Sequence, residues 1–181
     1  MKSITLFDKT FVPLIPYSKI ISATDEVACK INRAHEDDKN IPVLLCVLNG
    51  AIMFTAELLK KLDFDCELMS IKLSSYEGTT STGHIKIDYD VPDSIKGRDA
   101  IICEDIVDTG ATIKFLYDHL KKKGAGKVEI CTLLHKPDIY KEDIKIDYVA
   151  MSIPSQFIVG FGLDYNQIGR NLKDIYVLSD R

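Results

Sequence analysis

The sequence lacks the features of a cysteine or zinc framework. Its five cysteines are odd in number, form no Cys-x-x-Cys pair and lie mostly inside apolar runs, and none of its four histidines has a neighbour at metal-ligand spacing. These absences argue against a disulfide scaffold and against a zinc site. We expect reduced core thiols in a cytoplasmic protein, at Cys29, Cys46, Cys66, Cys103 and Cys131.

A long apolar segment and an excess of positive charge are also missing. No apolar run approaches the ~20 residues of a membrane-spanning helix. The net charge is −4, whereas a surface that covers nucleic acid needs clustered Lys and Arg. Internal repeats and low-complexity tracts do not stand out. We therefore expect neither a membrane nor a nucleic acid as a partner.

The remaining composition is that of an ordinary globular protein. Apolar residues make up 46% of the 181 positions and charged residues 28%. A chain of this length can bury a sizeable core. It suits a single domain over residues 1–181.

One stretch combines an apolar run with a group of carboxylates. The run at 100–103 leads into Glu104 and Asp105, and Asp108 then precedes a Thr-Gly-Ala-Thr turn at 109–112. A continuous apolar run is typical of a strand that is buried on both faces of a parallel sheet. Backbone N–H groups of the turn can surround an anion at the start of the following helix. The stretch predicts a site for a phosphorylated sugar.

An acidic strand end capped by an ordinary turn is the alternative, because acidic residues near helix N-termini complement the helix dipole. Glu104, Asp105 and Asp108 are three like charges within five residues. Their mutual repulsion makes a purely structural turn the weaker interpretation. A cation or a polyol would give all three a partner.

Apolar strands alternate with amphipathic helices along the chain, with Ser22 as the N-cap of the first helix. The inward faces are predicted at Val27, Ala28, Ile31 and Ala34, then at Ile52, Phe54, Ala56 and Leu59, and last at Ile113, Leu116 and Leu120. The pattern predicts extended structure at 1–17, helices at 22–34, 51–62 and 112–123, and strands at 41–48, 65–75, 85–89, 100–103, 128–134, 146–153 and 176–178.

This alternation predicts an α/β protein with a parallel sheet, in which ligands bind beyond the carboxyl ends of the strands. Gly50, the loop at 105–112 and Lys136 each follow a predicted strand. Because such ends lie at one edge of the sheet, we expect the three to line one crevice. The polar segment at 76–83 has the composition of a hairpin tip and equally that of a mobile lid.

On these residues the chain resembles the type I phosphoribosyltransferases, and within that family the branch that salvages hypoxanthine and guanine. Residues 101–112 match the signature of an apolar run followed by Glu-Asp-x-x-Asp-Thr-Gly-x-Thr. Leu48-Asn49-Gly50 fits the pyrophosphate loop, and Ser75-Tyr76 with Ser81-Thr82-Gly83 fits the lid. Leu133-Leu134-His135-Lys136 fits the strand that carries the purine-binding lysine, and 157–166 with Arg170 fits the carboxyl-terminal base and metal segment.

The resemblance implies a central, mostly parallel sheet flanked by helices, a mobile lid loop and a small hood built from the chain termini. The hood would come mainly from the N-terminal segment and residues 154–175. The implied reaction joins a 6-oxopurine to 5-phosphoribosyl-1-pyrophosphate with Mg²⁺ and yields a nucleoside monophosphate and pyrophosphate. The implied protein is a cytoplasmic homodimer or homotetramer.

The resemblance also implies roles for single residues around the ribose and the phosphates. Asp108 would be the general base near the purine N7, and Glu104 and Asp105 would hold the ribose hydroxyls directly or through hydrated metal. The 5′-phosphate would bind at Thr109, Gly110, Ala111 and Thr112. Pyrophosphate would bind at Leu48, Asn49, Gly50 and Arg170, in a loop with a non-proline cis peptide bond. Asn49 departs from the lysine that many relatives carry there.

For the base, the resemblance implies that Lys136 contacts the purine, that Phe157 stacks on it and that Ile158 offers backbone groups. Asp164 would lie beside the base and position a second Mg²⁺, so that the metal residues are Glu104, Asp105 and Asp164. Ser75 and Tyr76 would belong to the lid.

Taken singly, these residues also have ordinary structural explanations. Lys136 fits a solvated strand-end lysine and Phe157 fits a core residue. Asp164 fits a capped turn, and Arg170 fits a surface pairing partner. Two other functions stay open: a transferase for xanthine or another base, and a regulator with this fold that binds nucleotide and RNA or DNA. The preference between hypoxanthine, guanine and xanthine, the oligomer size and any regulation are not fixed by the sequence.

Overall fold

The computed structural model describes residues 2–37, 39–75 and 85–179. Its elements in chain order are β1 (Ile4–Leu6), β2 (Lys9–Ile15), α1 (Tyr17–His35), β3 (Val43–Leu48), α2 (Ile52–Leu59), β4 (Glu67–Ser75), β5 (Ile85–Tyr89), β6 (Ala100–Val107), α3 (Ala111–Lys122), β7 (Val128–His135), β8 (Tyr148–Ser152), β9 (Ile158–Val159) and β10 (Ile175–Leu178). Two short 3-10 turns, Asp93–Ile95 and Pro137–Ile139, complete the set.

A six-stranded sheet in the order β5-β4-β3-β6-β7-β8 forms the centre of the molecule. Its neighbours pair in parallel, except that β5 runs antiparallel to β4 at one edge. The middle strands are apolar on both faces, as expected for a sheet that is covered on both sides. The prediction of a mostly parallel α/β sheet is confirmed.

Helices cover both faces of this sheet, which explains the apolar strands. On one face α1 and α2 pack Ile31 and Phe54 against strand residues such as Leu44. On the other face α3 packs Leu116 against residues such as Ile102. Since side chains of a strand alternate between faces, neighbouring residues of β3 and β6 enter different cores.

A second, antiparallel sheet of order β1-β2-β10-β9 joins the first strands of the chain to the last. Phe11, Val159 and Tyr176 form its small core. The same region fixes the start of α1, because the buried carboxylate of Asp174 accepts a hydrogen bond from the backbone N–H of Tyr17 at 2.7 Å. That bond satisfies one of the free donors at the helix N-terminus.

Two helix predictions are wrong in detail. Helix α1 begins at Tyr17 instead of after Ser22, because its cap comes from Asp174 at the other end of the sequence. Ala34 is exposed, and the last inward residue of this helix is His35.

The inward face predicted for α2 is also wrong in part. Ile52 and Ala56 are exposed, and Phe54, Thr55 and Leu58 face the core. The predicted inward face of α3, by contrast, is confirmed. Within the described ranges no helix is both long and apolar enough to cross a membrane.

Candidate active site

A cavity of about 650 Å³ opens at the carboxyl ends of β3 and β6, where the sequence predicted a crevice. A smaller cavity of about 230 Å³ adjoins it at the start of α3, and Glu104 and Thr112 line both. The larger cavity brings together residues from well-separated parts of the chain, among them Asn49, Gly50, Lys72, Glu104, Asp105 and Arg170.

Glu104 and Asp105 lie inside β6, which continues to Val107, so the prediction that the acidic pair ends the strand is wrong. Burial raises the pKa of Glu104 well above its ordinary value, and the neighbouring charge of Asp105 adds to the rise. Burial also raises the pKa of Asp105 to about 6, which the nearby Arg170 guanidinium partly opposes. In the part of the chain that the structure describes, the buried Oε2 of Glu104 has no hydrogen-bond partner.

Gly50 lets the loop after β3 approach this acidic pair. A Cβ atom at Gly50 would lie 1.7 Å from Oδ2 of Asp105, so any side chain there would displace the carboxylate. The peptide bond between Leu48 and Asn49 is cis, and this prediction from the family resemblance is confirmed. The loop therefore presents its backbone to the cavity directly beside Asp105.

The turn between β6 and α3 has the geometry of an anion-binding loop. Gly110 has φ +92° and immediately precedes α3, which begins at Ala111. A Cβ atom at Gly110 would lie 2.6 Å from the Tyr140 ring, so both the conformation and the space require glycine. Thr112 follows in the first helical turn, where backbone N–H groups are free to bind an anion.

Lys136 follows β7 and reaches back to this turn. Its backbone N–H donates to the carbonyl of Val107 at 3.0 Å, and its Nζ lies 2.8 Å from Oδ1 of Asp108. Lys136 is only 7% exposed, whereas the side chain of Asp108 is about half exposed. Lys136 is therefore not a solvated strand-end lysine, because a buried ammonium needs such a partner.

The segment after β9 closes the other side of the larger cavity. Gly162 has φ +101°, and a Cβ atom there would lie 2.0 Å from the carbonyl oxygen of Gly50. Arg170 donates to the carbonyl of Gly162 at 2.8 Å and pairs with Oδ1 of Asp164 at 2.5 Å. The other oxygen of Asp164 accepts from the backbone N–H of Gln167 at 2.8 Å. Asp164 and Arg170 are therefore held as a unit beside the loop of Gly50.

Phe157 lies between the small sheet and solvent. Its ring centroid is 6.0 Å from that of Phe11 and 5.8 Å from that of Tyr165, and the residue is 45% exposed. It is thus not a core residue and offers an accessible aromatic face. Ile158 is buried in β9 and pairs with Val177.

Most of the predicted lid lies outside the described residues. Ser75 ends β4, but Tyr76 and the Ser-Thr-Gly triplet at 81–83 are outside the described residues. The assignment of Ser75 and Tyr76 to a lid stays a prediction.

Sequence reasoning missed four polar residues that line the larger cavity, on the β4–β5 pair and in the carboxyl-terminal segment. Their only signal was position near the end of a predicted strand or motif, and the register that brings β4 beside β3 is not readable from local sequence. The four are Lys72, Ser74, Asp88 and Gln167.

The described residues contain no cluster of three His, Cys, Asp or Glu side chains that could by itself hold a metal ion. Mg²⁺ does not need one, since it commonly binds through one or two carboxylates, several waters and substrate phosphates. The hard carboxylate oxygens of Glu104, with its partnerless Oε2, and of Asp105 and Asp164 fit that mode of binding.

Comparison with known proteins defines the class first. The model of the phosphoribosyl transferase domain family matches residues 17–166 of the chain. The chain is 47% identical over 162 residues to hypoxanthine-guanine phosphoribosyltransferase from Streptococcus agalactiae serotype V, with 89% of each chain covered. It is 44% identical over 168 residues to the enzyme of that name from Streptococcus thermophilus CNRZ 1066, with 92% of each covered.

A solved structure agrees with these matches. Hypoxanthine phosphoribosyl transferase from Trypanosoma cruzi superimposes with a TM-score of 0.87 at 32% identity, covering 97% of this chain and 95% of the other. The chain belongs to the hypoxanthine-guanine phosphoribosyltransferase family.

Proposed function

We propose that the protein transfers the phosphoribosyl group of 5-phosphoribosyl-1-pyrophosphate to hypoxanthine and guanine in the cytoplasm, with Mg²⁺, as a step of purine salvage. The products are the nucleoside monophosphate and pyrophosphate. The observation that carries the proposal is the ion pair between buried Lys136 and Asp108 at 2.8 Å, next to the anion loop at 109–112. It supports a purine-binding role for Lys136 and a proton-accepting role for Asp108 beside the proposed phosphate site.

Lys136 selects 6-oxopurines by its hydrogen-bonding capacity. An ammonium has three donors and no acceptor, so it bonds the O6 carbonyl of hypoxanthine or guanine. It would face the 6-amino group of adenine donor against donor. A backbone carbonyl of the 158–164 segment accepts the N1–H of an oxopurine, and the exposed ring of Phe157 stacks on the base. A site built on such bonds rejects adenine because its own polar groups stay unpaired.

Asp108 is the general base that removes the proton at the purine N7. Its carboxylate is half exposed, lines the smaller cavity and is held in position by its contact with Lys136. Thr109, Gly110, Ala111 and Thr112 hold the 5′-phosphate through the free backbone donors of the first turn of α3. The ribose is thus fixed between the base and the phosphate loop.

Glu104 and Asp105 hold the ribose hydroxyls, and together with Asp164 they would hold Mg²⁺ through their carboxylate oxygens, directly or through water. Bound there, Mg²⁺ would neutralise negative charge on the pyrophosphate as the glycosidic bond breaks. Leu48, Asn49 and Gly50 offer backbone groups to the pyrophosphate, and Arg170 offers its guanidinium. The carboxylates of β6 also tolerate the positive charge that builds on the ribose ring.

The proposal covers the architecture and assembly as well. Residues 1–181 form one domain, and the antiparallel sheet of β1, β2, β9 and β10, together with residues 154–175, is its hood. The protein works as a homodimer or homotetramer. Self-association is supported by half-exposed apolar side chains on α2 and on the β4–β5 pair, namely Ile52, Leu68 and Tyr89. Sedimentation velocity over a range of concentrations would measure it.

A panel of bases assayed with 5-phosphoribosyl-1-pyrophosphate and Mg²⁺ tests the proposal. Hypoxanthine and guanine should be converted, and adenine should be at least ~10⁴-fold poorer in kcat/KM. Xanthine and pyrimidines in the same panel test the alternative bases. Comparable kcat/KM for adenine and hypoxanthine would refute the role of Lys136, and turnover of none of the bases would refute the enzyme function itself.

A further inference from the structure

The cavity that we assign to pyrophosphate is short of available positive charge. Three carboxylates line it, those of Asp88, Glu104 and Asp105, whereas its cationic lining within the described residues consists of Lys72 and Arg170. The loop of Leu48, Asn49 and Gly50 is uncharged. A pyrophosphate group carries several negative charges, so its binding beside these carboxylates needs a cation that is free to face it.

Both terminal nitrogens of the Arg170 guanidinium already contact protein groups. One terminal nitrogen donates to the carbonyl of Gly162, and the other pairs with Asp164 at 2.5 Å and contacts Oε1 of Gln167 at 3.1 Å. The charge of Arg170 is therefore shared with a carboxylate before any substrate binds. Arg170 fixes the Asp164 segment at least as much as it supplies free charge.

Lys72 differs in this respect. It lies on β4, where the parallel pairing with β3 sets it directly opposite Leu48. The cis peptide bond to Asn49 follows Leu48 immediately. It is exposed and lines the cavity, and among the residues that the structure describes it has no hydrogen-bond or ion-pair partner. The pKa of Asp88 is lowered mainly by a hydrogen bond from Ser74 and by the nearby Lys86, and the charge of Lys72 makes a smaller contribution in the same direction. Lys72 thus brings to the mouth of the loop an ammonium that no described residue pairs with.

We infer that Lys72 binds the pyrophosphate group of the substrate and of the product, and supplies the cation that the neutral Asn49 cannot. This inference rests on the proposed function, since it assigns a ligand to one side of the same site. Sequence motifs around 101–112 and 157–170 do not point to Lys72. Only the pairing of β4 with β3 brings it there.

Magnesium pyrophosphate titrated into the free enzyme by calorimetry measures this contact without turnover. Lys72→Ala should weaken its binding about 10- to 100-fold, the loss expected for a hydrogen bond to a charged group. The KM for 5-phosphoribosyl-1-pyrophosphate should rise by a similar factor, and the KM for hypoxanthine should change less than about twofold. Lys72→Arg should retain most of the affinity, because it keeps the charge.

Two further lysines serve as controls. Lys60→Ala removes an exposed charge that pairs with Glu57 at the end of α2, outside the cavity lining, and should leave pyrophosphate binding unchanged. Lys86→Ala removes the lysine that pairs with Asp88 on the neighbouring strand, and tests whether that residue is the true ligand. Thermal unfolding of each variant establishes that it is folded.

Unchanged pyrophosphate affinity in folded Lys72→Ala would overturn the inference. An equal loss in Lys60→Ala or Lys86→Ala would also overturn it, because the effect would then be one of net charge or belong to Lys86. A wild-type protein that binds magnesium pyrophosphate through Lys72 but converts no base would leave this inference intact and refute the proposed function.

Discussion

Two buried glutamates on adjacent strands of the central sheet have opposite surroundings. Glu129, near the start of β7, is 6% exposed and pairs with Nε2 of His35 at 3.0 Å, with the Tyr148 hydroxyl at 2.9 Å and with Lys127 at 3.0 Å. Glu104, in the second half of β6, is 8% exposed, and its Oε2 has no partner within the described ranges.

The difference separates structure from function within one sheet. At the amino edge a buried carboxylate is fully paired, as stability requires. At the carboxyl edge one oxygen of a buried glutamate has no partner among the described residues, which costs stability and is tolerated where a ligand supplies the missing contact. We therefore expect changes at the amino edge to lower stability, and changes to the carboxylates of the carboxyl edge to lower activity without lowering stability.

The largest effect tests the carboxyl edge. Asp108→Asn should fold normally but lose roughly 10²- to 10⁴-fold in kcat, because the amide keeps the shape of the group but cannot accept the purine proton. Steady-state assays at saturating substrates measure this. Asp138→Asn, an exposed change two residues after Lys136, is the matched control and should retain full activity. A near-wild-type kcat for Asp108→Asn would exclude Asp108 as the base.

The amino edge should respond in the opposite way. Glu129→Ala removes the buried carboxylate that contacts His35 and the hydroxyl of Tyr148, so we expect a loss of roughly 2–4 kcal/mol in the free energy of unfolding. Urea denaturation measures it. Activity per folded molecule should stay at the wild-type level below the transition. A fall in kcat without a fall in stability would end the division between the two edges.

Lys136→Ala sharpens the comparison within the carboxyl edge. We expect kcat/KM for hypoxanthine to fall by a factor that corresponds to about 1.5–3 kcal/mol of lost transition-state stabilisation, the range for a hydrogen bond to a charged group. Binding of 5-phosphoribosyl-1-pyrophosphate should change much less, which a parallel titration would show. If both substrates lost affinity equally, Lys136 would be supporting the loop of Asp108 instead of recognising the purine.

The smallest effect is a gain in stability with a defined pH dependence. In the folded protein the pKa of Asp105 is raised from 3.8 to about 6, so the folded state holds its proton more tightly than the unfolded chain does. Its ionisation therefore costs stability as the pH rises from about 4 to 6, and the full cost remains above pH 6. Asp105→Asn removes it and should stabilise the protein by ~1–2 kcal/mol at pH 8, less than the ~3 kcal/mol that the full shift represents.

Urea denaturation at two pH values measures this gain. At pH 4 the advantage of Asp105→Asn should be nearly absent, since Asp105 of the wild type is then mostly protonated in the folded state. Asp65→Asn, at an exposed position before β4, should show no such pH-dependent gain. Asp105→Asn should also lose activity. A loss of stability at pH 8 would mean that the ionised form of Asp105 contributes to the fold.

Local sequence was enough to predict the apolar strands and the loops that follow them. The apolar runs of β3, β6 and β7 and the spacing of Ile113, Leu116 and Leu120 report on burial directly. Because the strands are parallel, the loops had to meet at one edge. For that reason the crevice could be predicted before any contact was known.

Features that depend on distant partners were not predictable in this way. Asp174 fixes the start of α1, and no residue near Tyr17 in the sequence indicates that the helix begins there. The continuation of β6 through Glu104 and Asp105 depends on pairing with β7, which compensates for two charged residues in a strand. Lys72 joins the site only through its register with Leu48.

The contact between Gly162 and Gly50 has a consequence for how the protein matures on the ribosome. One half of the proposed pyrophosphate site, the loop of Gly50, is synthesised early, and the other half follows after most of the central sheet. Synthesis proceeds at ~5–20 residues per second, and early segments can fold before later ones emerge. The nascent chain can therefore form its phosphate loop while Asp164 and Arg170 are still in the ribosome. The proposed pyrophosphate site is complete only after that, when Gly162 packs against the carbonyl of Gly50.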